Sequence, residues 1–240
     1  MHSCDRPVPR RYCSDRVPPA QQITLGGWDL HVFRYRAQRI EVTQLPIHPS
    51  IAALGINPVG TVTNRAREIV FRALQNGWSG PPFDPRLLAQ QQGISVVPTS
   101  GEHDARIVPA KGSRFRIEYN PARPPYRINF SIAHEIAHTL FPDCGEQVRH
   151  RLSRKRISAT ESQLETLCDI AAAEMLMPIG TFPTLASESL NIERAIALQN
   201  EYQVSIEAIV YRLARLSHQH VMAFCCTQIE RGPAAGCFRA

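Results

Sequence analysis

Residues 129–143, NFSIAHEIAHTLFPD, hold two histidines four positions apart with a glutamate directly after the first. This spacing constrains the chain more than any other feature, because it has a geometric meaning only in a helix. There, positions i and i+4 sit one turn apart on one face, so His134 and His138 can aim imidazole nitrogens at a single ion. Glu135 lies about 100° further round the helix, close enough to reach a water on that ion and poorly placed to be a ligand itself. The segment predicts a helix entered near Asn129 or Ser131 and closed by Pro142, since proline disfavours helix at the residue before it. A five-residue pattern also arises by chance, and two histidines satisfied in a core would give the same string. A third ligand elsewhere in the chain decides between the two.

Catalytic zinc commonly takes two histidines and a carboxylate and leaves its fourth position to water, whose pKa falls to about 7 on the metal. Downstream, the candidates are Asp143, Glu146, His150, Glu161, Glu165, Asp169 and Glu174. Most of them fall in SATESQLETLCDIAAAEMLMP, which reads as a long helix opened by a Ser158 and Glu161 capping box and ended by Pro178. Asp143 and Glu146 follow Pro142 too closely to turn back to the site, and the cap engages Glu161. Glu165 and Asp169 share a face, so one can bind the ion while the other hydrogen-bonds the far nitrogen of a ligating histidine. Glu174 falls on the opposite face, toward solvent or a salt-bridge partner. Leu164, Leu167, Ala171 and Met175 form an apolar stripe, which any core helix would carry.

The rest of the chain predicts an α+β fold, mostly helical, with a small and mainly antiparallel sheet. TNRAREIVFRALQNG reads as an amphipathic helix stopped at Gly77, and FDPRLLAQQQG as a shorter one capped by Asp84. ISVVP reads as a buried strand, and DARIVPAKGSRFRIEYN as two strands around a Lys111-Gly112 turn. NIERAIALQNEY and SIEAIVYRLARL continue with helical periodicity, and HVMAFCCTQIE reads as a last strand. The expected division is a Pro/Arg-rich extension over 1–60, poorly ordered or folded as a hairpin in WDLHVFRYRAQRIEVTQL. A domain carrying the candidate metal site over 61–185 and a C-terminal helical pair with a terminal strand over 186–240 complete it.

Composition narrows the class further. The 240 residues, 43% hydrophobic, can bury a sizeable core, and no apolar run approaches the roughly 20 residues of a membrane-spanning helix. The N-terminus lacks the apolar core of a secretory signal, so a cytoplasmic location without membrane contact is expected. The seven cysteines include no CxxC pair and read as reduced thiols, not a thiolate zinc site. A formal charge of +6 favours acidic partners without selecting one.

RINFSIAHEIAHTLFPD followed by LETLCDIAAAEMLMP, together with the VVP strand, DARIV, RFRIEYN and YQVSIEAIVYRLARL, resembles the ImmA/IrrE family of zinc metallopeptidases over roughly residues 64–216. The resemblance implies one zinc ion held by His134, His138 and Glu165, with Glu135 activating water. A hydrogen bond from Asp169 to the far nitrogen of a ligating histidine stays an inference from helical phase. The resemblance also implies a regulatory endopeptidase whose substrate is a helix-turn-helix transcriptional repressor, switching on stress-response or mobile-element genes. An extended substrate could add as a strand along RFRIEYN, at Arg116, Glu118 and Tyr119. Tyr119, Tyr126, His103 and His150 are candidate oxyanion donors, among which the sequence does not choose. The competing reading is a non-proteolytic regulator that docks a repressor, or binds DNA through the C-terminal helix pair. The apolar character of SIEAIVYRLARL disfavours direct nucleic-acid binding. RHRLSRKRIS reads as a solvated basic loop, or as a recruiter of an acidic substrate segment.

Overall fold

The computed structural model describes residues 22–25, 28–34, 48–110, 115–151, 159–183, 192–216, 221–228 and 238–239. By contact the chain forms two compact units, residues 1–37 with 219–240, and residues 38–218. This division differs from the sequence-based one at residues 60 and 185, because the last strand pairs with the N-terminal strands. In the first unit, β1 (Gln22–Leu25) and β2 (Trp28–Arg34) form an antiparallel hairpin, Ile23 opposite Leu30. Strand β6 (Val221–Gln228) runs antiparallel to β2, and β7 (Phe238–Arg239) closes the order β1-β2-β6-β7. WDLHVFR is thus the second arm of a hairpin with QITL, whereas the arm expected after it, over residues 35–47, lies outside the described residues. So do the Lys111-Gly112 turn, Ser158 of the expected capping box and the basic run Arg154, Lys155 and Arg156.

The second unit opens with a short helix α1 (Pro49–Ala52) and the long α2 (Pro58–Gln75). Asn57 starts α2 by accepting a hydrogen bond from the Gly60 N–H at 2.9 Å, with Pro58 at the first helical position. The helix stops where Gly77 takes φ +83°, the left-handed conformation that glycine adopts without a Cβ penalty. Helix α3 (Pro85–Gln91) is capped by Asp84, which accepts from the Arg86 N–H at 2.8 Å. A three-stranded sheet follows, made of β3 (Ser95–Pro98), β4 (Ala105–Pro109) and β5 (Phe115–Tyr119).

Its strand order is β3-β5-β4, with β5 parallel to β3 and antiparallel to β4. The sheet is therefore mixed, and it corrects the expected substrate edge. Arg116, Glu118 and Tyr119 lie on the central strand, where ladders on both sides already use the backbone donors and acceptors. The outer strand on the side of the histidine helix is β4. Glu118 is a structural carboxylate, bonded to Arg106 at 2.8 Å and also paired with Arg116. The Arg106 bond outweighs burial and holds its carboxyl below the ordinary value.

Helices α4 (Pro125–His138), α5 (Cys144–Arg151), α6 (Ala159–Leu176), α7 (Ile192–Tyr202) and α8 (Ile206–Leu216) complete the unit. Helix α4 begins earlier than the sequence suggests, because Pro125 at its first position favours initiation. His138 ends it, so the whole HEIAH segment is helical. Helix α6 packs between α2 and α4. Ile132 and Ile136 of α4 and Ala171, Ala172 and Met175 of α6 are fully buried at that junction. Burying each isoleucine contributes about 1.5–3 kcal/mol, and the small alanines let the two helices approach closely. No helix among the described residues is long and apolar enough to cross a membrane.

Candidate metal centre

The seam between α4 and α6 brings together the residues singled out in the sequence. His134 Nε2 lies 2.9 Å from Glu165 Oε2 and 3.2 Å from His138 Nε2, and His138 Nε2 lies 3.8 Å from the same Glu165 oxygen. On its other side, His134 Nδ1 meets Asp169 Oδ1 at 2.8 Å. An ionised carboxylate only accepts, so the proton sits on Nδ1 and the Nε2 of a neutral ring presents a lone pair to Glu165. Two lone pairs at 2.9 Å repel unless a proton or a metal ion lies between them.

The separations fit a metal. Bonds of about 2.0–2.1 Å in a tetrahedral zinc site place neighbouring ligand atoms about 3.3 Å apart. The three separations of 2.9, 3.2 and 3.8 Å bracket that value. The two imidazole planes cross at 73°, which lets both Nε2 atoms face one point without stacking the rings. His138 is 2% exposed, His134 16% and Glu165 31%, so the centre is buried on its histidine side and open on its carboxylate side.

Cys168 is the functional neighbour the sequence reading missed. Its Sγ lies 3.2 Å from His138 Nδ1, the ring nitrogen that faces away from the cluster. His134, His138 and Cys168 form a possible metal set in their own right, with ligand atoms within 4.8 Å of one another. At 3.2 Å from Nδ1, the sulfur meets the imidazole on the nitrogen that the His-His-Glu set leaves out. The His-His-Glu set is the tighter and matches tetrahedral spacing, so Cys168 is better placed to fix the tautomer and tilt of His138, as Asp169 does for His134. The available signal was periodicity. Positions 165, 168 and 169 share one helical face.

Glu135 is buried, and its Oε2 accepts the Ile107 N–H of β4 at 2.9 Å. Ile107 is paired with Ile117 in the ladder, yet its N–H points at the helix, so it belongs to the set of residues facing away from β5. The Asp104 carbonyl accepts from Asn120 on the inner side, and strict alternation then puts Ala105, Ile107 and Pro109 outward. The missing N–H of Pro109 costs nothing there. No side-chain pattern could have announced this contact, because its donor is backbone.

Of the other candidate ligands, Asp143 and Glu174 are engaged elsewhere. Asp143 accepts from the Ser50 hydroxyl at 2.5 Å, and Glu146 is exposed. Glu174 is 2% exposed, bonded to Arg212 at 2.7 Å and to Arg67 at 3.0 Å, so of the two fates expected for it the salt bridge is the one observed. Among the suggested oxyanion donors, Tyr119 lies under the Arg86 guanidinium at 5.1 Å, Tyr126 and His103 are exposed, and the His150 side chain is outside the described residues. In α8, Ile209, Val210, Arg212 and Leu213 are buried, so one face of SIEAIVYRLARL is spent on packing.

Similarity to known proteins runs through the same segment. The radiation response metalloprotease IrrE of Deinococcus deserti is 29% identical over 116 residues, which cover 47% of this chain and 41% of that protein. The chain thus spans less than half the length of the curated relative it matches. A solved Mycobacterium tuberculosis transcriptional regulator aligns at a TM-score of 0.44 and 19% identity over 64% of this chain and 46% of that one, a level that bears on neither fold nor function. The family model Peptidase_M78, the IrrE N-terminal-like domain, matches residues 89–214, more than half of the 240 residues and the whole of the α4–α6 seam. The chain belongs to the IrrE N-terminal-like peptidase family.

Proposed function

We propose that the chain is a zinc-dependent endopeptidase of regulatory type, whose substrate is a helix-turn-helix transcriptional repressor. The observation that carries the reading is the convergence of His134 Nε2, His138 Nε2 and Glu165 Oε2 within 2.9–3.8 Å beside a buried glutamate. These three atoms would hold one zinc ion, which when bound acidifies a water and polarises the scissile carbonyl. A purely structural zinc site closes its coordination with four protein ligands and needs no adjacent carboxylate. Here three ligands leave a position open, and Glu135 follows the first of them.

The protein's own residues then have separate tasks. Glu135 takes the proton from the attacking water and returns it to the leaving amine. The Ile107 N–H holds its carboxylate against β4. Asp169 keeps His134 in the tautomer that exposes Nε2, and Cys168 does the same for His138. With the Ile107 N–H held by Glu135, the outward carbonyls of Ala105, Ile107 and Pro109 and the Ala105 N–H offer the edge along which an extended substrate adds as a strand, in place of the central strand suggested by sequence.

The test is incubation of candidate helix-turn-helix repressors with the zinc-loaded protein and with Glu135→Gln. Cleavage should fall by about 10²–10⁴-fold in the variant, the range of a positioned general base, while zinc content stays equal. Undiminished cleavage by Glu135→Gln would remove the glutamate from the mechanism. Cleavage that survives chelation of zinc would remove the metal.

A further inference from the structure

On the Nδ1 side of His134, away from the ring nitrogen that faces Glu165, a cleft of about 610 Å³ lies between α4, α6 and α8. Phe130 stands one turn before His134 on α4 and Ala173 one turn after Asp169 on α6, and both line the cleft with Ile170 and Ala208. Tyr211, 61% exposed, joins them. The volume falls within the range of small-molecule sites, about 300–1,000 Å³, and the lining suits one large apolar or aromatic group. Of the residues around the candidate metal centre it is Asp169 that lines the cleft, so the two share one carboxylate.

The charged groups around the cleft set the sign of its occupant. Asp169 spends Oδ1 on His134 Nδ1, and its side chain, 55% exposed, makes no other hydrogen bond or ion pair among the described residues. Glu207, in the first turn of α8, makes none among them. Of the two cleft arginines, Arg212 is neutralised by Glu174 at 2.7 Å. Arg215 feels the charges of Arg212, Glu174 and Arg67, and not those of Asp169 or Glu207, which places it toward the Glu174 end. Two carboxylates thus stand beside an apolar wall without a cation to answer them among the described residues.

We infer that the cleft is an effector site for a small apolar amine, its ring or chain seated against Phe130 and Ala208 and its ammonium paired with Asp169 in the field of Glu207, and that this binding weakens metal capture by His134. The coupling runs through one side chain. Asp169 accepts the Nδ1 proton of His134 and so supports the basicity of Nε2. An ammonium on the second carboxylate oxygen draws charge away from that bond, and its own charge opposes a cation on the far side of the ring. Linkage makes the effect reciprocal, the metal weakening the amine by the factor by which the amine weakens the metal. The binding rests on the cleft alone, and the coupling rests on the metal-site reading.

The experiment uses the full-length protein with tryptamine and indole-3-acetate, which share a ring and differ in the sign of the side-chain charge. In calorimetric titrations of the metal-free protein, tryptamine should bind about fivefold tighter, the upper range for one ion pair partly open to water. Glu207→Lys should cancel that preference, and Ala208→Phe, which fills the cleft, should weaken both ligands, with the melting temperature checking that each variant is folded. Zinc affinity, read by competition with a chromophoric chelator, should fall about fivefold at saturating tryptamine, less than the roughly 10–100-fold lost when such a supporting partner is removed. The fall should shrink in both variants, which separates it from zinc held by tryptamine itself. Equal or undetectable binding of the two ligands, a preference that survives Glu207→Lys, or a zinc affinity indifferent to tryptamine would overturn the effector site. If the protein holds no zinc with or without the amine, the metal reading fails and the coupling with it, while selective tryptamine binding keeps the cleft as an amine site.

Discussion

Glu165 and Glu174 stand on the same helix, yet one is 31% exposed against two histidines and the other 2% exposed between two arginines. At the Glu174 end the cation is covalently part of the protein. Arg212 reaches Glu174 from α8 and caps the Met177 carbonyl at the end of α6, while Arg67 approaches from α2. At the Glu165 end the carboxylate meets imidazole nitrogens whose outer faces are already committed to Asp169 and Cys168. That end gathers the donor atoms of the proposed metal site. A buried charge with its partner built in is scaffolding, and a cluster of donor atoms at metal-ligand spacing is the candidate site.

The largest effect that could break this contrast is on stability. Arg212→Ala removes the main partner of a buried carboxylate and should cost about 3–5 kcal/mol, measured as a shifted urea midpoint. Glu165→Gln, at a half-open position, should cost less than about 1 kcal/mol in the metal-free protein. Equal losses would mean that both ends are scaffolding.

Metal supplies the converse. Zinc at a hundred times its dissociation constant should stabilise the wild type by about 2.7 kcal/mol, and a chelator should reverse the gain. Glu165→Gln should lose most of that increment, whereas Arg67→Ala should keep it. Retention of the full increment by Glu165→Gln would move the third ligand elsewhere, with Cys168 the first alternative.

Smaller again are the residues behind the histidines. Asp169→Ala and Cys168→Ala should each weaken zinc binding by about 10–100-fold, with Asp169→Asn milder because an amide oxygen still accepts from Nδ1–H. A cobalt-loaded protein separates support from ligation for Cys168. An absorption spectrum without a thiolate-to-cobalt band would agree with the sulfur facing Nδ1, and a strong band abolished in Cys168→Ala would make it a ligand.

The contrast also measures how far the sequence could be read. Helical phase put His134 and His138 on one face, separated Glu174 from Glu165, and placed Asp169 behind a histidine, because 3.6-residue periodicity is local. What escaped was set by tertiary partners. The strand order β3-β5-β4 put RFRIEYN in the middle of its sheet, and alternation within a strand says nothing about which neighbours it has. Cys168 read only as one of seven reduced thiols until α4 was laid against α6. The Ile107 N–H on Glu135 has no side-chain signature at all. The partner of Glu174 came from α8, a helix whose apolar periodicity gave no sign that one arginine turns inward.

The smallest effect concerns protons at the Glu174 end. Burial raises the Glu174 carboxyl, but the hydrogen bonds and charges of Arg212 and Arg67 outweigh it, and the net folded pKa lies below 4.5. A carboxyl with a depressed folded pKa binds fewer protons in the folded state than in the unfolded one. Its contribution is therefore fully present above the unfolded value and is lost as pH falls through the folded value. Melting temperature should hold level from neutral pH to about 5 as far as this group is concerned, then decline below 4.5. Glu118, depressed by Arg106, declines in the same window, so the wild-type curve alone cannot isolate one group. The difference between wild type and Glu174→Gln can. The variant starts lower, because its amide leaves two guanidinium groups without an anion, and it should lose less on acidification. The gap between the curves should narrow from pH 5 downward, and a constant gap would show that the Arg212 and Arg67 contacts do not set the protonation of Glu174.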